Sequence, residues 1–338
     1  MNQINISMVA QKAQVSNSTV SRVLNNSPLV RPETASKVRA VIAELGYQPS
    51  EIARGLRMNE TKTIGVIVSN VLNHFFTGMV RGIEDIANKS AYNIVLCNTD
   101  EQPEKEQQYL KTLLSKRVDG LIIASTGPQN DYSTLIGNLP VVFVDRRPGG
   151  RSAEMFDTIL VDNKGGSFQA VEHLVQNGYR RIGIITGSNV GTTGSERLQG
   201  YKDALAAYDL PIDEKLIKIG DFLGHTAYQH ARELLEPKMK CDAIFVANNI
   251  ILLSTMKALH DCNRKCPRDI GLVAFDDMDW MEYCTPRFTA VAQPTYQMGT
   301  LAMEMLLERL SAKKTFAPKT IVLPVKLEVR DSSIRRKD

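Results

Sequence analysis

The feature that most constrains the fold is a recurrence of short apolar segments between amphipathic stretches, from residue 64 to residue 275. The segments are 64–69, 93–98, 119–125, 140–145, 158–163, 181–187, 216–220, 242–248 and 270–275. Apolar strands that alternate with helices are typical of parallel sheets covered by helices on both faces. Because nine strands are many for one sheet, the pattern predicts two similar α/β lobes, with the break near 146–163.

The first 60 residues differ from the rest in charge. They contain seven Lys and Arg against four Glu, a net charge of +3, whereas the whole chain carries +4. A small basic region followed by a nearly neutral body indicates that this region binds an anionic partner.

Three short helices are predicted in this basic region, each with one apolar face. The faces are Val9, Ala10 and Ala13; Val20, Val23 and Leu24; and Val38, Val41, Ile42 and Leu45. Ser16 is placed to cap the second helix, Pro32 suits the first turn of the third, and Gly46 suits its C-terminal cap.

The second of these helices is polar on its other side, as expected of a helix that enters the major groove of DNA. Arg can bind guanine, and Asn adenine, through two hydrogen bonds, whereas Ser and Thr suit phosphates. The side chains expected on or near the outward side are Asn17, Ser18, Ser21, Arg22 and Asn25. On spacing alone, a solvated three-helix subdomain remains the alternative.

The segments VSNSTVSRVLNN (15–26) and ELGYQPSEIARGL (44–56) together resemble the N-terminal domain of the LacI/GalR family of bacterial transcription regulators. The likeness continues through ERLQGY (196–201), AIFVANN (243–249) and VAFDD (273–277). It implies a helix-turn-helix headpiece (1–48), a hinge helix and linker (49–62), and a two-lobed core resembling periplasmic binding proteins (63–338). The first lobe is expected at about 63–157 plus a segment near 293–322, and the second at about 158–292 plus the C-terminal strand.

The resemblance also implies roles on DNA. Asn17, Ser18 and Arg22 are expected to read bases. Ser16, Thr19, Ser21 and Asn25 are expected to contact phosphates or to fix the helix. In the expected hinge helix at 50–57, Leu56 stands at the position of a wedge into the minor groove and Ala53 at that of its partner, and such a wedge bends DNA by unstacking a base step.

Four residues depart from the family pattern. Gln14 stands at a turn position where Gly is usual, which costs about 1 kcal/mol if the residue is left-handed. Arg31 replaces a capping Ser, and Ser50 replaces a common Asn. Gly55 lowers the helix propensity of the hinge by about 1 kcal/mol relative to Ala. We therefore expect a hinge that depends strongly on DNA and on a second hinge.

Between two facing α/β lobes, ligands bind at the carboxyl ends of the strands. The resemblance implies that Arg197, Asn248 and Asp276 bind a small effector, with Phe222 as an aromatic lid. The full expected set is Asn73, Phe75, Asp145, Arg146, Arg197, Phe222, Asn248, Asp276 and Gln293. Alternatives stay open: Asn248 and Asp276 could cap helices, and Phe75 and Phe76 could belong to the core. Arg197 is expected to begin a helix, where a cation is disfavoured.

One departure concerns the charge of this pocket. Asn249 follows Asn248 where the family commonly has Asp. With Arg146, Arg147 and Arg197 nearby, the pocket is expected to lean positive and to prefer a sugar acid or sugar phosphate.

Catalytic motifs are lacking: the sequence contains no GxxxxGK[ST], GxSxG, GxGxxG or HExxH. The nearest metal-like cluster, His260, Cys262 and Cys266, lacks a fourth ligand, so neither a metal nor a cofactor is expected. No apolar run approaches the ~20 residues that span a bilayer. The N-terminus does not resemble a signal peptide, and we expect a cytoplasmic protein associated with the nucleoid through DNA.

These features predict a non-enzymatic, sequence-specific repressor of carbohydrate-catabolism genes, released from its operator by a sugar, sugar acid or sugar phosphate. A homodimer on a pseudo-palindromic operator is expected, with one apolar face of 71–87 in the dimer contact. A corepressor-dependent regulator of the same fold, or a solute-binding receptor, is the alternative. The receptor would show no salt-dependent retention on DNA.

Overall fold

The computed structural model of the protein describes residues 4–47, 60–127, 130, 132–189, 191–312 and 317–335. Contacts divide the chain into two units, Met1–Lys62 and Thr63–Asp338. The hinge helix expected at 50–57, with Ala53 and Leu56, lies outside the described residues and stays a prediction.

The first unit contains helices α1 (Ile6–Ala13), α2 (Asn17–Leu24) and α3 (Pro32–Leu45). Ser16 caps α2, since its Oγ accepts a hydrogen bond from the Thr19 backbone N–H at 3.2 Å. The predicted apolar faces meet in one core of buried Val9, Ala10, Ala13, Val20, Val23, Val38 and Val41, with Leu24, Ile42 and Leu45 packed against it.

Two of the departures from the family pattern have visible consequences here. Gln14 ends α1 in the left-handed conformation, with φ 56° and ψ 44°, a backbone that costs an L-residue roughly 1–2 kcal/mol. Arg31 precedes α3 and makes no side-chain capping hydrogen bond. Helix α3 therefore begins on Pro32, whose fixed φ suits a first turn, and ends at left-handed Gly46.

The second unit contains two six-stranded sheets, each covered by helices on both faces. The first sheet has the order β11-β5-β4-β3-β1-β2, with all pairs parallel. Its strands are β1 (Thr63–Val68), β2 (Asn93–Asn98), β3 (Gly120–Ile123), β4 (Val141–Val144), β5 (Asp157–Val161) and β11 (Thr320–Leu323). Its helices are α4 (His74–Lys89), α5 (Pro103–Ser115), α6 (Tyr132–Ile136) and α11 (Thr295–Ser311).

The second sheet has the corresponding order β12-β10-β9-β8-β6-β7, and only β12 runs antiparallel to its neighbour among the pairs of the described residues. Its strands are β6 (Ile182–Thr186), β7 (Ile217–Ile219), β8 (Ala243–Val246), β9 (Gly271–Phe275), β10 (Thr289–Ala292) and β12 (Lys326–Glu328). Its helices are α7 (Asn163–Gln176), α8 (Thr192–Ala207), α9 (Ala227–Leu234) and α10 (Asn249–Asp261). The two-lobed α/β prediction is confirmed.

The predicted lobe boundary is wrong at β5. This strand lies in the first sheet, between β4 and β11, whereas residues from 158 onward were expected in the second lobe. Asp157 fixes it there, because its carboxylate accepts hydrogen bonds from the Arg309 guanidinium at 2.5 and 2.6 Å and from the Lys319 N–H at 2.7 Å. The single strand expected at the C-terminus is two, β11 and β12, one in each sheet. Strand β10 was not predicted.

Helices α4 and α11 cross at very close range on the first sheet. A Cβ on Gly82 would overlap the Tyr296 carbonyl oxygen, and one on Gly299 would overlap that of Met79. Glycine is therefore required on both helices. Within the described part of the chain, no helix has the length and apolarity needed to cross a membrane.

Candidate DNA-contacting helix and effector cleft

Helix α2 exposes most of the side chains that were predicted to contact DNA. Ser16, Asn17, Ser18, Arg22 and Asn25 are exposed, and Thr19 is half-buried. Ser16 Oγ lies 2.7 Å from Ser18 Oγ, and Asn17 Nδ2 donates to Ser7 Oγ on α1 at 3.2 Å.

Ser21 is the exception on this helix. It is buried, with 8% of its surface exposed, so its expected outward position is wrong. The reason is geometric: Ser21 follows Val20 and lies two residues before Val23, and all three are buried in this unit. Of its two predicted roles, only fixing the helix is compatible with this burial.

The second unit has a polar cleft between its lobes, at the carboxyl ends of strands from both sheets. The cleft has about 350 Å³ of empty space, part of it open to solvent. It is lined by Asn70, Asn73, Phe75, Phe76, Glu101, Asp145, Arg146, Thr193, Arg197, Phe222, Leu223, Asn248, Asp276 and Gln293. All nine residues predicted to bind an effector lie in this lining, while their contact with an effector stays a prediction.

Two aspartates occupy corresponding places in the two lobes. Asp145 follows β4 and Asp276 follows β9, and each strand is third in its sheet. Both residues are left-handed, with φ 66° and 70°, and each main-chain N–H donates to the neighbouring strand at 3.0 Å, to Ile159 and Val291 respectively. Strained backbone of this kind concentrates at ligand-binding sites because the surrounding structure must enforce it.

Arg197 lies in the interior of α8, five residues after its start, so the predicted position at a helix start is wrong. Its Nε donates to Asn163 Oδ1 at 2.9 Å and its Nη1 to the Ala247 carbonyl at 2.5 Å. The guanidinium lies 3.7 Å from the Phe275 ring centroid and 3.9 Å from Asp276 Oδ1. Burial lowers the pKa of Arg197, and the Asp276 carboxylate opposes this effect. The guanidinium is thus held in one orientation inside the cleft.

The second cation of the cleft, Arg146, is already paired. Its guanidinium donates to both carboxylate oxygens of Glu101, at 2.5 and 2.7 Å, and lies 5.5 Å from the Phe222 ring centroid. Arg147 is half-buried and does not line the cleft. Glu101 was missed by the sequence analysis, although it follows β2 closely and strand ends were the signal used for the other residues.

These pairings overturn the prediction of a positively charged pocket. The lining has three carboxylates, Glu101, Asp145 and Asp276, against two guanidinium groups. Burial raises the pKa of Asp145 to about 6, against the nearby Arg146 and Arg197 charges, and burial likewise raises the pKa of Asp276. Each buried cation has a carboxylate nearby, so the cleft offers hydrogen-bonding groups rather than excess positive charge.

Polar contacts join the lobes across the cleft. Asn249 Nδ2 donates to Asn73 Oδ1 at 3.0 Å, and Thr193 Oγ1 donates to the Asp145 carbonyl at 3.3 Å. Thr193 and Asn249 were not in the predicted pocket, and Asn249 had been noted only as a departure from the family pattern. Asn73 also caps α4, because its Oδ1 accepts from the Phe75 N–H at 3.0 Å.

The alternatives left open by the sequence are both realised at Asn248. Its Oδ1 accepts from the Ile251 N–H at 2.8 Å and caps α10, while its Nδ2 donates to the Phe222 carbonyl at 3.0 Å in the cleft. Phe75 and Phe76 likewise line the cleft and belong to the core, with ring centroids 4.9 Å apart. The Asp276 carboxylate accepts from Gln293 Nε2 at 2.5 Å and from the main-chain N–H of Asn249, the first residue of α10.

Cys266, in the cluster considered above as metal-like, has a hydrogen-bond partner from the end of the chain. Cys266 Sγ donates to the Ser332 carbonyl at 3.2 Å, and burial raises the pKa of its thiol to about 12. Among the described residues, no three His, Cys, Asp or Glu side chains are grouped as a metal site would need.

Comparison with known proteins assigns the family. The model described as bacterial regulatory proteins, lacI family, matches residues 5–50, and that of a periplasmic binding protein-like domain matches 171–333. Catabolite control protein A of Priestia megaterium is 33% identical over 96% of this chain and 98% of its own length. The chain belongs to the LacI family of bacterial regulatory proteins. It is a DNA-binding transcription regulator with an effector-binding core.

Two solved structures are similar over almost the whole chain. One is a transcriptional regulator CelR–cellobiose complex, with 32% identity, a TM-score of 0.74, and coverage of 97% of this chain and 99% of that one. The other is the lac repressor dimer bound to operator and the anti-inducer ONPF, with 26% identity, a TM-score of 0.84, and coverage of 98% and 100%.

Proposed function

We propose that this protein is a repressor whose affinity for its operator is set by a neutral sugar bound in the cleft. The observation that carries the proposal is the composition of the cleft: carboxylates, amides and charge-compensated guanidinium groups around aromatic rings. Carboxylate and amide groups pair with hydroxyls, and aromatic rings cover the apolar face of a sugar. A cellobiose complex of a similar regulator supports this assignment. The regulated genes would be those of carbohydrate catabolism.

On DNA, α2 enters the major groove of each half-site. Asn17, Ser18 and Arg22 read base edges, while Ser16, Thr19 and Asn25 contact phosphates or fix the helix. The exposure of Asn17, Ser18 and Arg22 supports this role. Leu56, with Ala53, inserts into the minor groove between half-sites. Since its operator is in the cytoplasm, the protein acts there.

The active species is a homodimer that pairs through the first lobe. Val71, Val80 and Leu96 line an apolar groove between α4 and edge strand β2, and Val95 and Leu96 are exposed on that strand. The inner face of α4 packs on the sheet, so its outer face is available to a second copy. Exposed apolar surface of this kind is typical of interfaces, and a pseudo-palindromic operator requires two-fold symmetry. The similarity to a lac repressor dimer on operator adds support.

Regulation follows from the contacts between the lobes. The Asn73–Asn249, Thr193–Asp145 and Arg147–Thr192 hydrogen bonds are polar contacts, so the lobes can adopt more than one angle at modest cost. A bound sugar changes operator affinity only by binding one arrangement more tightly than the other. An inducer and a corepressor differ in which arrangement that is.

The test begins with operator sequences selected from random DNA by the purified protein. Binding of the selected duplex is then measured by fluorescence anisotropy at several salt concentrations, with neutral sugars, sugar acids and sugar phosphates added. Salt-dependent, sequence-specific binding that a neutral sugar shifts supports the proposal, and the direction of the shift distinguishes inducer from corepressor. A protein that binds sugar but shows no DNA preference would be a receptor and would contradict it.

A further inference from the structure

One of the exposed side chains expected to read bases is tied to a neighbouring helix. Asn17 is the first residue of α2, and its Nδ2 donates a hydrogen bond to Ser7 Oγ on α1 at 3.2 Å. The hydroxyl of Ser18, by contrast, lies 2.7 Å from that of Ser16, the capping residue of its own helix. The Asn17 contact therefore joins two elements of the headpiece on their solvent side.

The backbone positions of these two residues are fixed by the packing of their helices. Asn5 caps α1, since its Oδ1 accepts from the Met8 N–H at 3.1 Å, and Ser7 lies in the first turn after this cap. Val9 on α1 and Val20 on α2 are fully buried in the core that the two helices share. Because the core sets the distance between the helices, the two side chains stay within reach of each other.

The hydrogen bond itself contributes little to folding. Ser7 and Asn17 are both exposed, and neither belongs to the apolar core of the headpiece. A hydrogen bond between two uncharged groups that water can also reach has a small net effect on the free energy of unfolding. Its consequence is therefore expected where Asn17 acts, on DNA.

The chemistry of the carboxamide leaves room for both contacts. Asparagine has one oxygen acceptor and two hydrogens on its nitrogen. A bidentate pair with adenine uses the oxygen, which accepts from N6–H, and one of these hydrogens, which is donated to N7. Since Ser7 Oγ takes one hydrogen of Asn17, the other hydrogen and Oδ1 remain for a base. The contact also defines which end of the carboxamide faces Ser7.

An anchored side chain reads a base more tightly than a free one. An exposed asparagine rotates about two side-chain bonds, and binding a base stops this rotation. Ordering one such side chain lowers affinity by roughly twofold to tenfold. A hydrogen bond that already restricts the Asn17 side chain before DNA binds removes part of this loss.

We propose that Ser7 is a positioning residue for sequence recognition. It holds the Asn17 carboxamide so that Asn17 reads an A·T base pair in each half-site, with Oδ1 accepting from adenine N6–H and Nδ2 donating to N7. The inference rests on the proposed function, because it takes α2 as the reading helix. It adds a residue outside α2 and the identity of one base pair.

Selection from random DNA, followed by sequencing, tests the inference on the full-length protein, Ser7→Ala, Asn17→Ala and the double variant. The base pair at which Asn17→Ala loses its preference is the one that Asn17 reads. We expect A·T there in the parent, with a roughly tenfold preference that Asn17→Ala removes and Ser7→Ala weakens about threefold. Ser7→Thr keeps the hydroxyl and should restore most of the preference.

Two controls separate positioning from other roles. In the Asn17→Ala background, Ser7→Ala should have no further effect at this base pair, because Ser7 acts through Asn17. Ser36→Ala removes an exposed hydroxyl from α3 and should leave every preference unchanged. The salt dependence of binding to the selected duplex should be the same in all variants, since none changes a charge, and it also reports that the headpiece is folded.

The outcomes separate this inference from the proposed function. An unchanged A·T preference in Ser7→Ala overturns the inference and leaves DNA recognition by α2 intact. A preference for G·C at this pair does the same, because the major-groove edge of guanine offers two acceptors and requires the nitrogen end of the carboxamide. An Asn17→Ala variant with every preference intact also overturns it. A parent protein that selects no sequence overturns the proposed function itself.

A direct contact of Ser7 with DNA would be visible in the same data. If Ser7→Ala changes the preference at a base pair that Asn17→Ala leaves unaffected, Ser7 touches that base and the positioning role is refuted. If Ser7→Ala does not fold, Ser7→Thr is compared with Ser7→Val, which has the same shape without the hydroxyl. Equal A·T preference in these two variants contradicts the inference.

Discussion

The two units differ in where they keep their polar groups. The headpiece presents Asn17, Ser18 and Arg22 to solvent over a small aliphatic core. In the cleft, by contrast, only 2–3% of the surface of Asp145, Arg197 and Asn248 is exposed. An exposed group gains its interaction when DNA arrives and contributes little to the free energy of unfolding before that. A buried group must already be paired, so its role in binding cannot be separated from its role in stability. Substitutions should therefore behave differently in the two units.

The largest effect is expected from Arg197→Ala in the cleft. Removing the guanidinium leaves Asp276 buried without its cation and removes hydrogen bonds to Asn163 and Ala247. Loss of one partner of a buried pair typically costs about 3–5 kcal/mol of unfolding free energy. Urea denaturation measures this cost, and effector titration of the operator complex should show no response. Operator binding itself should persist.

Arg309→Ala is the matched control for that variant. Arg309 also pairs with a buried carboxylate, that of Asp157, but it lies on α11 away from the cleft lining. It should destabilise the core and keep the effector response. A normal response in Arg197→Ala would move the effector site elsewhere.

The next effect concerns the pH dependence of the cleft. Since burial raises the pKa of Asp145 to about 6, its folded form binds a proton more tightly than the unfolded form. Its contribution to stability is therefore greatest below pH 4 and is lost as the pH rises through about 6. Asp145→Asn has no carboxyl group at this position and does not lose stability in this way. The unfolding free energy of the variant minus that of the parent should therefore rise by about 2–3 kcal/mol between pH 4 and pH 7.5, because one pKa unit corresponds to about 1.4 kcal/mol.

Urea denaturation of both proteins at pH 4, 5 and 7.5 measures that difference. Most other titrating groups are common to both chains, so the gap between the curves reports mainly on Asp145. A gap that is constant across this range would show that the carboxylate is not held in a dry site.

A smaller effect on affinity, without an effect on stability, is expected in the headpiece. Arg22 is exposed on the last turn of α2, so Arg22→Ala should change the unfolding free energy by less than about 0.5 kcal/mol. It should remove about 1–3 kcal/mol of discrimination at one base pair of each half-site. Competition binding between selected and scrambled duplexes measures the loss.

Arg31→Ala serves as its control, because Arg31 is also an exposed cation but lies outside α2. It should alter only the salt-dependent, sequence-independent part of binding. Retained preference for the selected duplex in Arg22→Ala would refute the readout role.

The same contrast explains what could be predicted from the sequence. The headpiece is built from contacts close in the chain, so the helix faces and the Ser16 cap followed from local pattern. The prediction for Ser21 failed because a single polar residue can face either way. In the cleft, strand ends located Asp145, Arg146 and Asp276. The pairing of Arg146 with Glu101, 45 residues away, could not be predicted in this way. For that reason the predicted positive charge of the pocket was wrong.

Sheet membership failed for a related reason. Periodicity identifies β5 as a buried strand, but either lobe could accept such a strand, and its place beside β4 and β11 is decided by long-range contacts such as Asp157 with Arg309. Strand β10 has two alanines among its four residues, and alanine is depleted in strands, so its pattern is weaker than that of the equally short β4. Residues were predictable where a local rule fixed them and unpredictable where a distant partner did.

The smallest predicted effect addresses the lobe contact itself. Asn249→Asp replaces the amide that donates to Asn73 with a carboxylate, and it adds negative charge beside Asp276, which accepts from the Asn249 main-chain N–H. Losing one such hydrogen bond costs about 1 kcal/mol, so effector affinity should fall roughly fivefold. Asn263→Asp, at an exposed turn of the same lobe, adds the same charge and should leave affinity unchanged. Calorimetric titration compares the effector affinities of the parent, Asn249→Asp and Asn263→Asp. Equal affinities would mean that the Asn73–Asn249 hydrogen bond does not stabilise the effector-bound arrangement. Lobe closure would then depend on the ligand alone.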